Sequence, residues 1–227
     1  MEVNVRIRGK VKFISNGNVV AEIDNTVHLD ELTQVVYNAI TGSISQGTQE
    51  QQYVVLTFSG GTKSSVPVTF NNFVWSGSLT LSVESTIVQL DLFPSFNANP
   101  FLASTVQTNI TLPPGTYTIE WIWDIDDPVG LVREILYLGF NNAYSSFKVV
   151  AGKCTNLASI TKYKNTITLW LACLQSTSST FTTFYDTFAE TSKSNTTYYF
   201  TTYLNFAYQF ELSAPNALIV PLTITIT

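Results

Sequence analysis

Apolar and polar side chains alternate from residue 3 to residue 13, and this pattern constrains the fold more than any other feature. The apolar positions are Val3, Val5, Ile7, Val11 and Phe13. The polar positions are Asn4, Arg6, Arg8, Lys10 and Lys12. A period of two residues predicts a β-strand with one buried face. Asn16-Gly17 follows and predicts a tight hairpin turn, because both residues tolerate positive φ.

Residues 29–41 are the one segment with a clear helical period. Their apolar positions fall on one helical face and are Leu29, Leu32, Val35, Val36, Ala39 and Ile40. Asp30 and Glu31 stand in the first turn, where the helix dipole favours negative charge, and Gly42 supplies a stop. We therefore predict a short helix over about 29–41.

The rest of the chain predicts strands. In the first half they cover 53–59, 66–70, 73–75, 78–83, 87–93, 106–112 and 117–125. Gly60-Gly61 predicts a second hairpin, and Pro113-Pro114-Gly115 predicts a closing one. In the second half, 131–140 suits a helix or a strand, and strands are predicted at 147–150, 165–174, 181–188, 196–210 and 217–227.

These elements predict an all-β fold of two tandem antiparallel β-sandwich domains of the jelly-roll type, with one short helix in the first. Asp126-Asp127-Pro128 marks the boundary, since Asp-Pro resists regular continuation. The domains are then 1–127, with formal charge −7, and 128–227, which is rich in Thr and Tyr, with +2. Each half ends in a Pro-containing turn followed by a long alternating strand. One sandwich of 227 residues is the alternative.

The chain is poor in charge. Charged residues make up 12% of it, about half of the ~25% usual in soluble domains. Hydroxyl and amide side chains take their place. Removing water from these groups at a contact costs less free energy than removing it from ions. Such a surface favours a protein that works through contacts. The net charge of −5 argues against a nucleic-acid partner.

Residues suited to catalysis are scarce. His28 is the one histidine, and no nucleophile motif such as GxSxG accompanies it or Asp30. A glycosidase needs two carboxylates across a cleft, and the candidates Glu84, Asp91 and Glu120 form no signalled pair. We expect no enzyme, no catalytic residue, no cofactor and no metal.

Two further clusters leave alternatives open. Asp124, Asp126 and Asp127 either contact a hard cation such as Ca²⁺ or are solvated, turn-forming residues, and the second interpretation is favoured. Cys154 and Cys173 have 18 residues between them. They are either small buried apolar residues, which is favoured, or a disulfide in an extracellular particle or a hyperthermophile cytosol.

The cations of the first strand, Arg6, Arg8, Lys10 and Lys12, are the candidate site. They stand ~7 Å apart on one strand face. One interpretation is an edge strand protected by charge, or simply a solvated face. The other is a docking strip for an acidic partner surface, an anionic membrane or nucleic acid, and the acidic excess nearby favours a second copy of the chain.

The tryptophans support a different class of function, a carbohydrate-binding or adhesin module. Trp75, Trp121, Trp123 and Trp170 are suited to stacking on sugar rings, and Trp121 and Trp123 share a strand face. Filling the core is the alternative role for these side chains.

The sequence also bears on location. No secretory segment opens the chain, and no run of ~18 apolar residues occurs. We expect no signal peptide and no membrane span.

The order of motifs along the chain resembles that of β-sandwich proteins of virus particles. The shared features are the first hairpin, Asn25-Thr26-Val27, the short helix with Gly42, and Leu112-Pro-Pro-Gly-Thr-Tyr-Thr-Ile-Glu-Trp121. The polar, weakly charged second half resembles in particular the vertex proteins, penton base and turret, of turreted icosahedral viruses of Sulfolobus, an archaeal host.

This resemblance implies a virion structural protein. It implies a jelly-roll or related sandwich, self-assembly into a pentameric or other cyclic homo-oligomer, and contacts with other capsid proteins. A viral membrane or a host surface is a further expected partner. The capsid is the expected location, after assembly in the host cytoplasm. The resemblance carries no active-site residues.

Overall fold

The structure is a computed structural model. It describes residues 2–44, 48–144, 146–151, 154–174, 181–184, 188–194, 197–202, 206–209 and 217–227. Within these, side chains are described for 2–44, 48–144, 157–170 and 221–227.

Nineteen strands and two helices occur in the described residues. Up to residue 127 they are β1 (Glu2–Ser15), β2 (Asn18–Val27), α1 (Leu29–Thr41), β3 (Tyr53–Phe58), β4 (Lys63–Pro67), β5 (Thr69–Asn71), β6 (Val74–Leu81), β7 (Ser85–Phe93), β8 (Ser95–Phe96), β9 (Asn99–Pro100), β10 (Ser104–Leu112) and β11 (Gly115–Asp126). The others are α2 (Leu131–Phe140), β12 (Ser146–Ala151), β13 (Cys154–Tyr163), β14 (Thr166–Leu174), β15 (Phe181–Phe184), β16 (Phe188–Ser194), β17 (Thr197–Thr202), β18 (Phe206–Gln209) and β19 (Ala217–Ile226).

Strands of the first half form a sheet that nearly closes into a barrel. From β1 the sheet runs one way through β2, β10, β7 and β3 to β4. It runs the other way through β11 and β6 to β5. Because only Val68 separates β4 from β5 along the chain, the two ends of the sheet lie next to each other.

The same sheet continues into the second half through β1. Val3 and Val5 pair in parallel with Ile224 and Ile226 of β19. Farther along, β1 pairs with β2 and β11 in antiparallel fashion. Beyond β19 follow β14, β13, β12, β17 and β16, so that fifteen strands of the described chain share one sheet.

The fold is thus mostly β, as predicted, but two tandem sandwiches are not confirmed. Strand β19 comes from the second half and β1 from the first, so their pairing crosses the predicted boundary at residue 127. Helix α1, from the first half, also lies against β12, β13 and β14. The division into 1–127 and 128–227 stays a prediction.

The buried faces follow the alternation of the sequence. On β1 the inward residues Val3, Val5, Ile7, Val11 and Phe13 are buried. Trp75 of β6 and Trp121 of β11 are fully buried with them. The interior of the near-closed sheet is therefore filled with large apolar side chains.

Helix α1 is confirmed at its predicted bounds. It buries Leu32, Val36 and Ala39. At its end Gly42 takes the left-handed conformation, with φ 73°. The Gly42 N–H donates to Ala39 O and the Ser43 N–H to Asn38 O, which satisfies two terminal carbonyls.

The ambiguous segment 131–140 is a helix, α2. Its last residue, Phe140, lies in an aromatic cluster, with ring centroids 5.2 Å from Trp75, 5.8 Å from Phe96 and 5.9 Å from Trp123. Tyr144, just beyond the helix, donates a hydrogen bond to the carbonyl of Ala39 in α1. These contacts fix both helices against the near-closed sheet.

Two predicted hairpins are confirmed and one is wrong. Asn16 and Gly17 have φ of 49° and 78° between paired β1 and β2, and β3 pairs with β4 across Gly60-Gly61. However, β10 pairs with β7 and β2, whereas β11 pairs with β1 and β6. Pro113 and Pro114 hold φ at about −65°, whereas a two-residue hairpin turn needs positive φ, so the chain passes here to a different strand pair.

Candidate functional site

The four cations of β1 lie on a central strand, not at an edge. Strand β1 pairs with β2 on one side and β11 on the other, so the interpretation of an edge strand protected by charge is wrong. Arg6 and Arg8 are exposed, and Lys10 and Lys12 are partly exposed. The cations therefore form a row on the outer face of the sheet.

Acidic residues flank this row on both sides. The register places Lys12 opposite Glu22 and Lys10 opposite Asp24 on β2. On β11 it places Arg6, Arg8 and Lys12 opposite, in turn, Asp126, Asp124 and Glu120. Five carboxylates thus surround four cations, and we call these nine residues the charged face.

The lysine end of the charged face is paired. Lys10 Nζ lies 2.8 Å from Glu22 Oε1, and Lys12 Nζ lies 3.4 Å from Glu22 Oε2. The hydrogen bond with Lys10 lowers the pKa of Glu22 below its ordinary value, and the same bond raises the pKa of Lys10. Both side chains stay in solvent, so the pair contributes little to stability.

The arginine end is more open. Arg6, Arg8, Asp124 and Asp126 line one cavity of about 340 Å³. Within the part of the chain that the structure describes, neither guanidinium has a carboxylate oxygen within 4.0 Å. Arg6 and Arg8 are therefore better placed than the lysines to contact a partner.

The three aspartates predicted to cluster are separated by the fold. Asp124 and Asp126 belong to the charged face. The carboxylate of Asp127 instead accepts N–H groups of Val129 at 3.1 Å and Arg133 at 2.9 Å, which caps the start of α2. Across the described residues, no three His, Cys, Asp or Glu side chains are grouped to hold a metal ion.

His28 belongs to a polar chain that the sequence did not indicate. Its Nε2 lies 2.8 Å from the Thr105 hydroxyl, which donates to Asp91 Oδ1 at 2.9 Å. The Gln89 amide donates to Asp91 Oδ2 at 2.7 Å. Each oxygen of this buried carboxylate is thus hydrogen-bonded, and the chain ties β7 and β10 to the start of α1.

The carboxylates considered for glycoside hydrolysis lie in different surroundings. Asp91 is buried in the polar chain just described. Glu84 is exposed next to the start of β7, and Glu120 lies opposite Lys12 on the charged face. Glu84 and Glu120 therefore both face outward.

Three of the four tryptophans are closed to a sugar. Trp75, Trp121 and Trp123 are at most 3% exposed. The prediction that they stack on sugar rings is wrong, because the alternating pattern of β11 turns both of its tryptophans inward. Trp170, on β14, is partly buried.

One cleft of the structure was not predicted from the sequence. It has a volume of about 430 Å³ and is lined mainly by residues 49–52 together with Phe70, Phe140 and Asn141. At its base, Gln52 Oε1 accepts a 2.6 Å bond from Trp75 Nε1, and Gln52 Nε2 donates to Phe140 O at 3.0 Å. The run Gln-Glu-Gln-Gln at 49–52 was its signal, although it resembles an ordinary polar loop.

Comparisons with protein-family models, with curated proteins and with solved structures find no match to this chain. In the described part of the chain, neither helix has the length and apolar character needed to cross a bilayer.

Proposed function

We propose that the chain is a structural subunit of a virus particle. It forms part of the capsid vertex, as a penton base, or of a projecting turret or spike. It acts without catalysis, through contacts with its own copies in a cyclic homo-oligomer, with other capsid proteins, and with a viral membrane or a host surface. It resides in the capsid after assembly in the host cytoplasm.

The pairing of β1 with β19 carries the proposal. Residues 2–5 of β1 join the strands of the second half, while residues 6–15 belong to the near-closed sheet. This arrangement suits a subunit with a packed base and an extension that is continuous with it. The extension is drawn from the half of the chain that is rich in Thr and Tyr.

The filled interior also supports a structural role. Phe13, Trp75, Trp121 and Phe140 are fully buried where a binding protein of similar architecture would hold a ligand cavity. Contacts at the outer surface are then the means by which this part of the molecule acts.

Solution mass and symmetry test the proposal. Native mass spectrometry of the purified full chain, with electron microscopy of the same sample, is expected to show a closed ring of about five or six copies. A monomer at every concentration up to the solubility limit contradicts the proposal.

Within this proposal, Arg6 and Arg8 dock the acidic face of a neighbouring copy. The variant Arg6→Gln/Arg8→Gln is expected to weaken assembly, most clearly at low salt, because exposed charges are screened as salt rises. Lys10→Gln/Lys12→Gln removes the same charge and is the matched control. Its effect should be smaller, since Glu22 already pairs with both lysines. Equal effects of the two variants contradict a role specific to the arginines.

A carbohydrate-binding or adhesin module is the second candidate, and the polar cleft at residues 49–52 favours it. Amide side chains beside an aromatic ring suit a neutral, hydroxyl-rich ligand, and Phe70 lies partly exposed at this cleft. A glycan array with the native chain and with Gln51→Ala tests it. If the native chain is a monomer that binds a glycan, and Gln51→Ala abolishes this binding, the result supports this candidate over the virion subunit. If Gln51→Ala leaves glycan binding unchanged, any sugar site lies elsewhere.

A further inference from the structure

The two cysteines of the chain occupy directly opposite positions on neighbouring strands. Strands β13 and β14 are antiparallel, and their register pairs Cys154 with Cys173, with a register shift between this pair and the next one, Asn156 with Ala172. At the other end of this strand pair, Tyr163 is paired with Thr166 next to the connecting turn. The cysteines therefore form the pair most distant from the turn.

A directly opposite placement on antiparallel strands suits a disulfide bond. Directly opposite residues of an antiparallel pair have Cα atoms about 4.5–5.5 Å apart. Disulfides bridge Cα atoms that are about 4.4–6.8 Å apart. We propose that Cys154 and Cys173 form a disulfide bond that joins β13 to β14. This inference goes beyond the proposed function and does not depend on it.

The bond forms by thiol–disulfide exchange with a small-molecule disulfide such as glutathione disulfide. One cysteine thiolate attacks a sulfur of glutathione disulfide. The S–S bond of glutathione disulfide breaks, which releases one glutathione thiolate and leaves a mixed disulfide between the protein and glutathione. The second cysteine thiolate then attacks the protein sulfur of the mixed disulfide and releases the second glutathione thiolate. The protein loses two protons and two electrons, and one glutathione disulfide gains them to become two glutathione molecules.

The bond would close the open end of the β13–β14 pair. It would confine the 18 residues between the cysteines to one loop in the unfolded chain, which reduces the entropy gained on unfolding. Strand β14 also pairs with β19, and β19 pairs with β1. A bond at this point therefore stabilises strands that continue into the near-closed sheet.

Intact mass of the full native chain tests the proposal. The protein is incubated with glutathione disulfide, its free thiols are blocked with a maleimide under denaturing conditions, and its mass is measured. The expected product is lighter than the reduced chain by two hydrogens and carries neither maleimide nor glutathione. Peptide mapping should then give one disulfide-linked pair of peptides from a monomer-sized chain. Free thiols, stable glutathione adducts or a disulfide between two chains overturn the proposal.

A register variant provides the matched control. Ala172→Cys/Cys173→Ala keeps two cysteines but moves one by a single position, to the opposite face of β14. Ala172 is paired with Asn156, so the moved cysteine no longer stands opposite Cys154. Under the same treatment, this variant should form at most a tenth as much internal disulfide as the native chain. Equal formation in both proteins shows that the native register does not direct the bond and overturns the proposal.

Discussion

The hydroxyl of Thr105 donates a 2.9 Å hydrogen bond to the buried carboxylate of Asp91. A carboxylate can only accept hydrogen bonds, so the single hydroxyl proton of Thr105 points at Asp91. The Thr105 oxygen can then only accept a hydrogen bond from a second partner. His28 Nε2, 2.8 Å away, must therefore carry a proton and donate it to that oxygen. This arrangement therefore assigns a hydrogen to Nε2 of His28.

Thr105→Val should destabilise the fold by about 1–3 kcal/mol, because it leaves the Asp91 carboxylate short of a donor and the His28 N–H without an acceptor. Urea denaturation followed by circular dichroism measures the effect. Thr111→Val on the same strand is the control: its hydroxyl bonds that of Thr86 at 2.8 Å in an exposed position, so the loss should stay within about 0.5 kcal/mol. Equal losses in both variants contradict the role of the polar chain.

Gly139→Ala should destabilise the contact between α2 and β8. A Cβ at Gly139 would overlap the ring of Phe96, which is 2% exposed and has little room to move. Overpacking of this kind costs about 1–3 kcal/mol. A Cβ at Gly60 would meet nothing within 4 Å, so Gly60→Ala should leave the denaturation midpoint nearly unchanged. An unchanged midpoint for Gly139→Ala contradicts the packing described.

Gln52→Ala should destabilise the protein by about 2–4 kcal/mol, because it removes two hydrogen bonds and leaves the buried Trp75 N–H unpaired. The tryptophan emission of the folded state should also shift. Thermal unfolding followed by fluorescence measures both effects. Gln51→Ala, at the exposed neighbouring residue, is the control. It should change the stability and the tryptophan emission much less than Gln52→Ala does.

The Lys10–Glu22 pair should depend on pH at both ends of the scale. The pKa of Glu22 lies below its ordinary value of 4.5, so the stabilisation is complete above that value and is lost as the pH falls through the folded-state pKa. The pKa of Lys10 lies above its ordinary value of 10.5, so the stabilisation is complete below 10.5 and is lost as the pH rises through the folded-state pKa.

An NMR titration of the Glu22 carboxyl carbon checks this pair. Lys10→Gln should raise the pKa of Glu22 toward its ordinary value, and high salt should do the same in the native chain. Lys12→Gln should raise it less, because the Lys12 contact is the longer one, 3.4 Å against 2.8 Å. If Lys12→Gln has the larger effect, the assignment of the main partner is wrong.

Local patterns predicted local structure well. The alternation over 3–13 gave β1 and its buried face, and the apolar positions of 29–41 with Gly42 gave α1, because each pattern reflects one element and its immediate turn. Pairing depends on residues far apart in the chain, and here the prediction failed. The parallel contact of β1 with β19 left no local signal, and the separation of β10 from β11 was indicated only by the two prolines at 113 and 114.

The candidate site was predictable in its residues but not in its surroundings. The row of cations on β1 was evident from the sequence. That Asp124 and Asp126 stand opposite Arg8 and Arg6 depends on the register of β11, which the sequence does not specify. Asp127 was missed as a cap because the Arg133 N–H that it accepts lies six residues away.

The pairing of β1 with β19 places a constraint on the order of folding during synthesis. Val3 is synthesised more than 200 residues before its partner Ile224. Until then, the start of β1 lacks the neighbour that completes its hydrogen-bonded ladder. A nascent chain halted before β19 should therefore expose this segment to protease and chaperone. It should become resistant only once β19 has been released.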